Sequence, residues 1–475
     1  MKKDVITYFF SKVIIGFTGI IILKLYSSMI DPTGYGEYSL ITSLVTALVS
    51  IFIGWIGSSA LRYYDEYKNK KIEFFSNITA YYLLMLIICY IILIICSLLM
   101  TNINIIKYFL SVIYFVMMLS ANEILEKVLR ASNKTTVYAI ASIIQSILSV
   151  TIFYVLAKIY NFGVESIFIS NNIAKTIFAI ISLISIGYVI SFRKFRINKQ
   201  LLKKFLSYGI PMIGVWGVGW ILHYCDRYII SIFINNYEVG IYDMSCKISE
   251  NTINLFISSF TLAIFPVMIR DWNLGGVKII EDKLKTIIKY YNLIIMPAIV
   301  GLILIVDKLY LGIIDSQYST GKLVIIIICI GSYVSGLNSI LNKIWQLNEK
   351  TKNILYILIM SVILNIALNI IFIPIYGINA AAMTTFASYF FSLIITYIFV
   401  KKEMKIFIDL SSLFKTIFSC ICMGIFIIFF NKLANNMLLV DIEIFISCII
   451  YGVINILTKN IELKQINLFI ERRKK

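Results

Sequence analysis

Charge is scarce in this chain. Only 14% of its 475 residues are Asp, Glu, Lys or Arg, and 60% are hydrophobic. A soluble domain carries roughly a quarter of its residues charged, so a water-covered globule is excluded. Histidine occurs once, at His223, which removes any His-rich metal centre. The eight cysteines (Cys89, Cys96, Cys225, Cys246, Cys329, Cys420, Cys422 and Cys448) lie in apolar runs and form no CxxC pair. They read as small buried hydrophobes, with no metal site and no structural disulfide. Neither a Walker A loop nor a glycine-rich dinucleotide fingerprint is present, so no nucleotide or other cofactor is expected. The net charge is +18, yet no basic, aromatic-studded domain accompanies it, which argues against a nucleic-acid partner. The opening MKKDVITYFF runs into a full-length apolar stretch without a small-residue cleavage site, and no cleavable signal is expected.

What the chain does have is long apolar runs. A membrane-crossing helix needs roughly 20 mostly apolar residues. Fourteen candidates emerge, at 8–30, 38–61, 75–99, 105–120, 137–160, 167–192, 208–234, 239–268, 287–306, 323–341, 354–373, 378–400, 414–430 and 437–457. The runs are continuous and do not alternate with period two, so helices rather than a barrel are predicted. Lysine and arginine collect on the cytoplasmic side of membrane proteins. With both termini inside, 32 of the 43 basic residues fall in inner segments, five at outer segments and six within spans. The bias alternates through every loop and fixes the expected direction, both termini cytoplasmic.

The sequence also repeats itself. Gly36-Glu37-Tyr38 resembles Gly240-Ile241-Tyr242, Asn133-Lys134-Thr135 resembles the stretch from Asn348 to Lys352, and Tyr160 to Gly163 resembles Tyr376-Gly377. The matches keep their order, so spans 1–6 and 7–12 read as two copies of one six-helix unit. An even number of spans per copy gives both the same orientation, hence a pseudo-two-fold axis along the membrane normal, as in two-lobed transporters. The expected division is residues 1–200, residues 201–402, and residues 403–475 holding two extra C-terminal helices and a basic cytoplasmic tail. The expected fold is thus an all-α polytopic membrane protein.

Particular stretches then point to a family. Pro32, Tyr35, Gly36, Tyr38, Arg62 and Tyr63 mark a short turn after span 1 and the end of span 2. Gly209, Pro211, Trp220, Asp226 and Arg227 mark span 7, and IPIYGINAAAMTTFASY occupies 373–389. Together they resemble the polysaccharide flippases of the multidrug/oligosaccharidyl-lipid/polysaccharide exporter superfamily, O-antigen flippase type. Asn379-Ala380 departs from the commoner Ile-Gly. The resemblance covers nearly the whole chain, but its motifs mostly mark turns and packing. It implies a transporter rather than an enzyme. The cargo would be a lipid-linked oligosaccharide, typically undecaprenyl-diphosphate-linked, turned from the cytoplasmic to the outer leaflet of a bacterial cytoplasmic membrane for capsule or O-antigen synthesis. Membrane lipids would surround it, with a polysaccharide polymerase and glycosyltransferases as neighbouring partners. The alternatives are a lipid II flippase, a multidrug antiporter and a membrane polymerase. The antiporter is disfavoured because span 1 carries Lys12 and Lys24 instead of an Asp with a proline. The polymerase is disfavoured because the outer loops are short.

Charges inside spans are costly, roughly 2.5–3.5 kcal/mol each on insertion scales, and usually face a cavity or a partner. Trp216, Trp220, His223 and Arg227 follow one another at spacings of four, three and four, on one face of span 7. Such a stripe suits a diphosphate and sugar rings, through ion pairing and stacking; the competing reading pairs Arg227 with a neighbouring carboxylate. Lys24, Lys175 and Lys247 complete the expected cationic lining, with Lys12 and Lys415 read as snorkelling or interfacial. Asp243, Lys247 and Glu250 share a face of span 8 and can neutralise one another. Asp226 and Glu250 are candidates for binding a coupling proton or sodium ion. Asp441 and Glu443, near the outer end of span 14, read as interfacial. Pro297 in mid-span 9 is a possible kink.

Overall fold

The computed structural model describes residues 2–99, 105–187, 198–407, 409–431 and 437–461, with the side chains of 2–10, 12, 13, 211, 212, 215, 311, 437 and 438 excepted. All regular structure among these residues is helical. Large apolar side chains such as Phe17, Leu98, Leu110, Ile184 and Phe414 are exposed, whereas Asn77, Asn172, Asn365 and Asn369 are covered. That inversion is what a hydrocarbon solvent selects.

Packing groups the residues into two compact units, Met1–Met244 with Asn369–Ile378, and Ser245–Leu368 with Asn379–Lys475. The first unit contains α1 (Lys2–Met29), α2 (Pro32–Leu48), α3 (Gly54–Tyr63), α4 (Lys71–Leu99), α5 (Phe109–Ala131), α6 (Thr135–Lys158), α7 (Glu165–Ile186), α8 (Lys199–Phe233) and the first part of α9 (Asn236–Ser249). The second contains the end of α9, α10 (Leu255–Gly312), α11 (Lys322–Leu347), most of α12 (Thr351–Glu403), α13 (Leu410–Asn431) and α14 (Met437–Leu457).

Ten helices among the described residues are long and apolar enough to cross a membrane. Two are far longer than one crossing needs, the 75 residues of Asn236–Tyr310 and the 53 of Thr351–Glu403. Both break at glycines. Gly276 (φ 59°, ψ −143°) and Gly377 (φ 66°, ψ −150°) occupy a region closed to residues with a Cβ. The expected fourteen crossings require each of these two to cross twice, and the breaks fall at the places where those turns are needed.

The internal repeat is visible in local geometry. Asp31 caps α2 by accepting from the N–H of Gly34 (3.2 Å), and Asn235 caps α9 by accepting from the N–H of Glu238 (2.9 Å). Five-residue π-helical turns follow at Val49–Ile53 and Glu250–Asn254. Left-handed residues end α5 at Asn133 (φ 56°) and α11 at Glu349 (φ 58°). Inside the first unit, two of these matched segments meet. A Cβ on Gly36 would stand 1.9 Å from the carbonyl oxygen of Asn236, and one on Gly240 would stand 1.9 Å from that of Pro32. Exchanging Gly36 with Gly240 and Pro32 with Asn236 maps this crossing onto itself, the self-complementary pattern of a local two-fold. Only glycine lets two backbones approach so closely.

Several helices outrun their expected spans: α1 begins at Lys2 rather than 8, α8 at Lys199 rather than 208, and α11 runs to Leu347 rather than 341. Span 4 was expected to end at Ser120, but α5 runs to Ala131. The added turns are polar, yet Glu123–Lys127 and Glu126–Arg130 pair at i, i+4 and sustain the helix where hydropathy falls.

Candidate functional site

The aromatic and basic stripe of α8 begins with a capped helix. The side chain of Asn198 accepts from the N–H groups of Gln200 (3.0 Å) and Leu201 (3.2 Å). Seventeen or more residues on, the stripe meets α2, α3 and α5 within the first unit. Trp216 packs over Gly54, where a Cβ would lie 2.7 Å from its ring. The ammonium of Lys127 sits 4.7 Å from the Trp216 ring centroid, a cation–π distance. The same ammonium bonds Glu123 (2.5 Å), Ser58 Oγ (3.1 Å) and the Gly54 carbonyl (3.3 Å). Lys127 lies past position 120, where span 4 was expected to end; its spacing of four from Glu123 was the available signal for a helical position. Trp220 donates from Nε1 to the carbonyl of Ser43 (3.0 Å) and stacks on Tyr224. His223 is exposed, with its ring 4.6 Å from that of Tyr224.

Arg227 ends the stripe in a different setting. It is 1% exposed and its Nε donates to Oδ1 of Asp243 at 2.7 Å, with a second bond from the same guanidinium to that oxygen. It also donates to the His223 carbonyl (3.1 Å) and lies 4.4 Å from the Tyr224 ring centroid. The side chain expected to open the binding stripe is therefore engaged with its neighbours. Asp243 neutralises Arg227 across the α8–α9 turn rather than Lys247 along α9. Beside it, Asp226 is covered, accepting from Tyr242 Oη (2.6 Å) and Asn369 Nδ2 (2.5 Å). From the sequence Tyr242 entered only as part of the internal repeat and Asn369 not at all; each reaches Asp226 only through tertiary folding.

The other expected cations divide. Lys247, in the second unit, pairs with Glu250 at 2.8 Å, so two of the three charges expected to neutralise one another along span 8 do so. Lys24 projects from α1 as an exposed side chain and forms no ion pair among the described residues. Lys175 is half-buried on α7 with its ammonium 5.7 Å from the Phe115 ring centroid, again without an ion pair among the described residues. The side chain of Lys12 lies outside the described residues. Thus, among the described residues, no carboxylate lies within ion-pair reach of Lys24 or Lys175, Glu126 acting on Lys175 only from farther off, whereas Arg227, Lys127 and Lys247 each have an acidic partner. Asp441 is exposed as expected of an interfacial residue, but Glu443 is wholly covered, correcting its assignment to the interface. The two-residue step between them turns the helix by roughly 200°, which carries position 443 from the exposed face into the packing. No group of three or more His, Cys, Asp or Glu that could hold a metal occurs among the described residues.

Residues 1–272 match the family model described as polysaccharide biosynthesis protein. An uncharacterized membrane protein of Methanocaldococcus jannaschii, MJ1068, is 28% identical over 67% of this chain and 64% of its own length. The probable low-salt glycan biosynthesis flippase Agl15 of Haloferax volcanii is 24% identical over 55% of each chain. The chain thus spans between about half and two thirds of the length of these relatives, both archaeal. Among solved structures, the lipid II flippase MurJ in an inward closed conformation superimposes with a TM-score of 0.77. It is 18% identical, with 97% of this chain and 99% of that one covered. At that identity the likeness shows a shared fold.

Proposed function

Since the chain belongs to the polysaccharide biosynthesis protein family, we propose that it is a flippase that carries a lipid-linked oligosaccharide, with a polyprenyl-diphosphate anchor, from the cytoplasmic to the outer leaflet. The single observation that carries the reading is the pair Lys24 and Lys175. A charge within a span is retained against a large insertion cost, and these two have no carboxylate in ion-pair reach among the described residues. Glu126 acts on Lys175 only from beyond ion-pair distance, and an anionic headgroup supplies a counter-charge in direct contact. Exposed His223, with Trp216 and Trp220 on the same helical face, offers surfaces for the apolar faces of sugar rings. Arg227 and Lys247 serve first as partners of Asp243 and Glu250, and join the headgroup only if those pairs open.

In this reading residues 1–200 and 201–402 rock as two lobes and expose the cations alternately to the two sides, with residues 403–475 outside the rocking pair. With fourteen spans both termini lie on one side, and the loop bias of lysine and arginine supports the cytoplasmic side. Asp226 is the candidate for a coupling proton or sodium ion, since its covered carboxylate is held by the neutral donors Tyr242 and Asn369, with Glu250 second. The archaeal relatives leave the bacterial assignment and the capsule or O-antigen pathway as narrower proposals than the flippase itself. Polymerase and glycosyltransferase partners follow from the same cargo.

The test is reconstitution of the full chain in vesicles with a fluorescent polyprenyl-diphosphate oligosaccharide, scored by accessibility of the label from outside. Lys175→Gln and Lys24→Gln each lower the initial rate about tenfold while the melting temperature stays within a degree or two, since one charge-assisted bond to a headgroup is worth roughly 1.5–3 kcal/mol. Equal rates in wild type and both variants would overturn the assignment of these cations. Substituting lipid II in the same vesicles distinguishes a peptidoglycan precursor as the cargo.

A further inference from the structure

The second unit contains a cavity of about 420 Å³ between the π turn at Glu250–Asn254, α10, α13 and α14. Its walls are almost wholly apolar, Phe256, Pro297, Leu302 and Ile427 among them. One wall residue is Glu443, which is 0% exposed and whose two carboxylate oxygens have no hydrogen-bond partner among the described residues. The nearby cation, Lys308, directs its ammonium to the carbonyl of Asn431 (2.9 Å). Tyr451, also on the wall, spends its hydroxyl hydrogen on the carbonyl of Leu293 (2.9 Å).

A carboxylate in such surroundings is expensive, because a buried ionised group that is neither paired nor hydrogen-bonded has lost its water without compensation. In hydrocarbon, an intramembrane carboxylate marks a site by default, with its partner to be found. Among the described residues no lysine or arginine lines the cavity, so none of them there receives a phosphate, and a zwitterionic phospholipid is a poor fit. The volume suits one small amphiphile. We propose that this cavity is a binding site for a lipophilic primary amine dissolved in the membrane. Its alkyl chain lies along the apolar walls and its ammonium donates to both oxygens of Glu443. The site is separate from the cations assigned to the headgroup and goes beyond the flippase reading.

Cys448 lines the same cavity and is exposed, which gives a local reporter. Detergent-solubilised full chain is alkylated with N-ethylmaleimide, and the rate at Cys448 alone is followed by peptide mass spectrometry, with n-decylamine or n-decanol as competitor at pH 7. Decylamine half-protects Cys448 at a concentration at least tenfold below that of decanol. In Glu443→Gln, which keeps the side-chain shape, the two compounds protect at equal concentrations. Equal protection by both compounds in the wild type would mean that the cavity takes apolar chains without reading charge, and would overturn the proposal. So would an unchanged preference for the amine in Glu443→Gln. If that variant does not fold, the wild-type ratio alone decides.

Discussion

Two covered carboxylates in this protein have opposite surroundings. Asp243, in the first unit, is 3% exposed and bonded by Arg227. Glu443, in the second, is 0% exposed and has no hydrogen bond to either oxygen among the described residues. Both are acidic residues on helices long or apolar enough to be read as spans, and hydropathy treats them alike. Neutralisation separates them. A charge matched by a folded neighbour is part of the architecture, because its removal strands the partner. A charge left unmatched is held for something outside the chain, because its removal strands nothing.

The largest test of that contrast is Arg227→Ala. It leaves Asp243 covered without its guanidinium, and breaking a buried pair on one side costs about 3–5 kcal/mol. The expected outcome is a large fall in melting temperature in detergent, with little folded protein recovered. Replacing both partners at once, Arg227→Met with Asp243→Leu, recovers most of the loss, since neither charge is then left alone. A single variant as stable as wild type would remove the pair from the architecture.

The second test has the opposite sign. Glu443→Met removes an unmatched polar group and extends the apolar wall, so the melting temperature rises by the equivalent of about 1–2 kcal/mol. Thermal unfolding of the purified variant without any amine measures it. A fall of similar size would mean that Glu443 has a structural partner after all, and would erase the contrast with Asp243.

The contrast also marks how far the sequence was legible. The helical membrane fold followed from run length, because roughly 20 apolar residues are a local property. The repeat was legible from short matches, and Gly36 with Gly240 then proved to be a contact as well as a match. The stripe of α8 was legible from period, which is again local. What period cannot supply is the partner. Arg227 and Lys24 look alike in sequence, as cations inside spans; only folding brings Asp243 beside the first and leaves the second exposed. Glu443 was misjudged for the same reason, since depth along a helix was visible and the covering helices were not. The extension of α5 past Ser120 was missed because falling hydropathy concealed a helix sustained by ion pairs.

A third carboxylate, outside the spans, completes the series and has the smallest effect. Asp409 precedes α13, where its side chain accepts from the N–H of Ser412 (3.1 Å), with Lys285 at 3.7 Å. The Ser412 N–H, aided by Lys285 and Lys289, holds the carboxyl below the usual carboxylate range. A group whose pKa is lowered by folding adds stability above its unfolded value, near 3.9, and loses it as the pH falls through the folded value. Asp409→Ala therefore costs about 1 kcal/mol at pH 7, the ordinary worth of a helix cap. The difference from wild type shrinks as the pH is lowered below about 4, where the wild-type carboxylate takes up its proton. Melting temperatures of the two proteins across pH 3–7 read this directly. Here solvent supplies what Arg227 supplies to Asp243, so a gap as large as that of Arg227→Ala, or one that widens in acid, would show that exposure does not rank these three carboxylates.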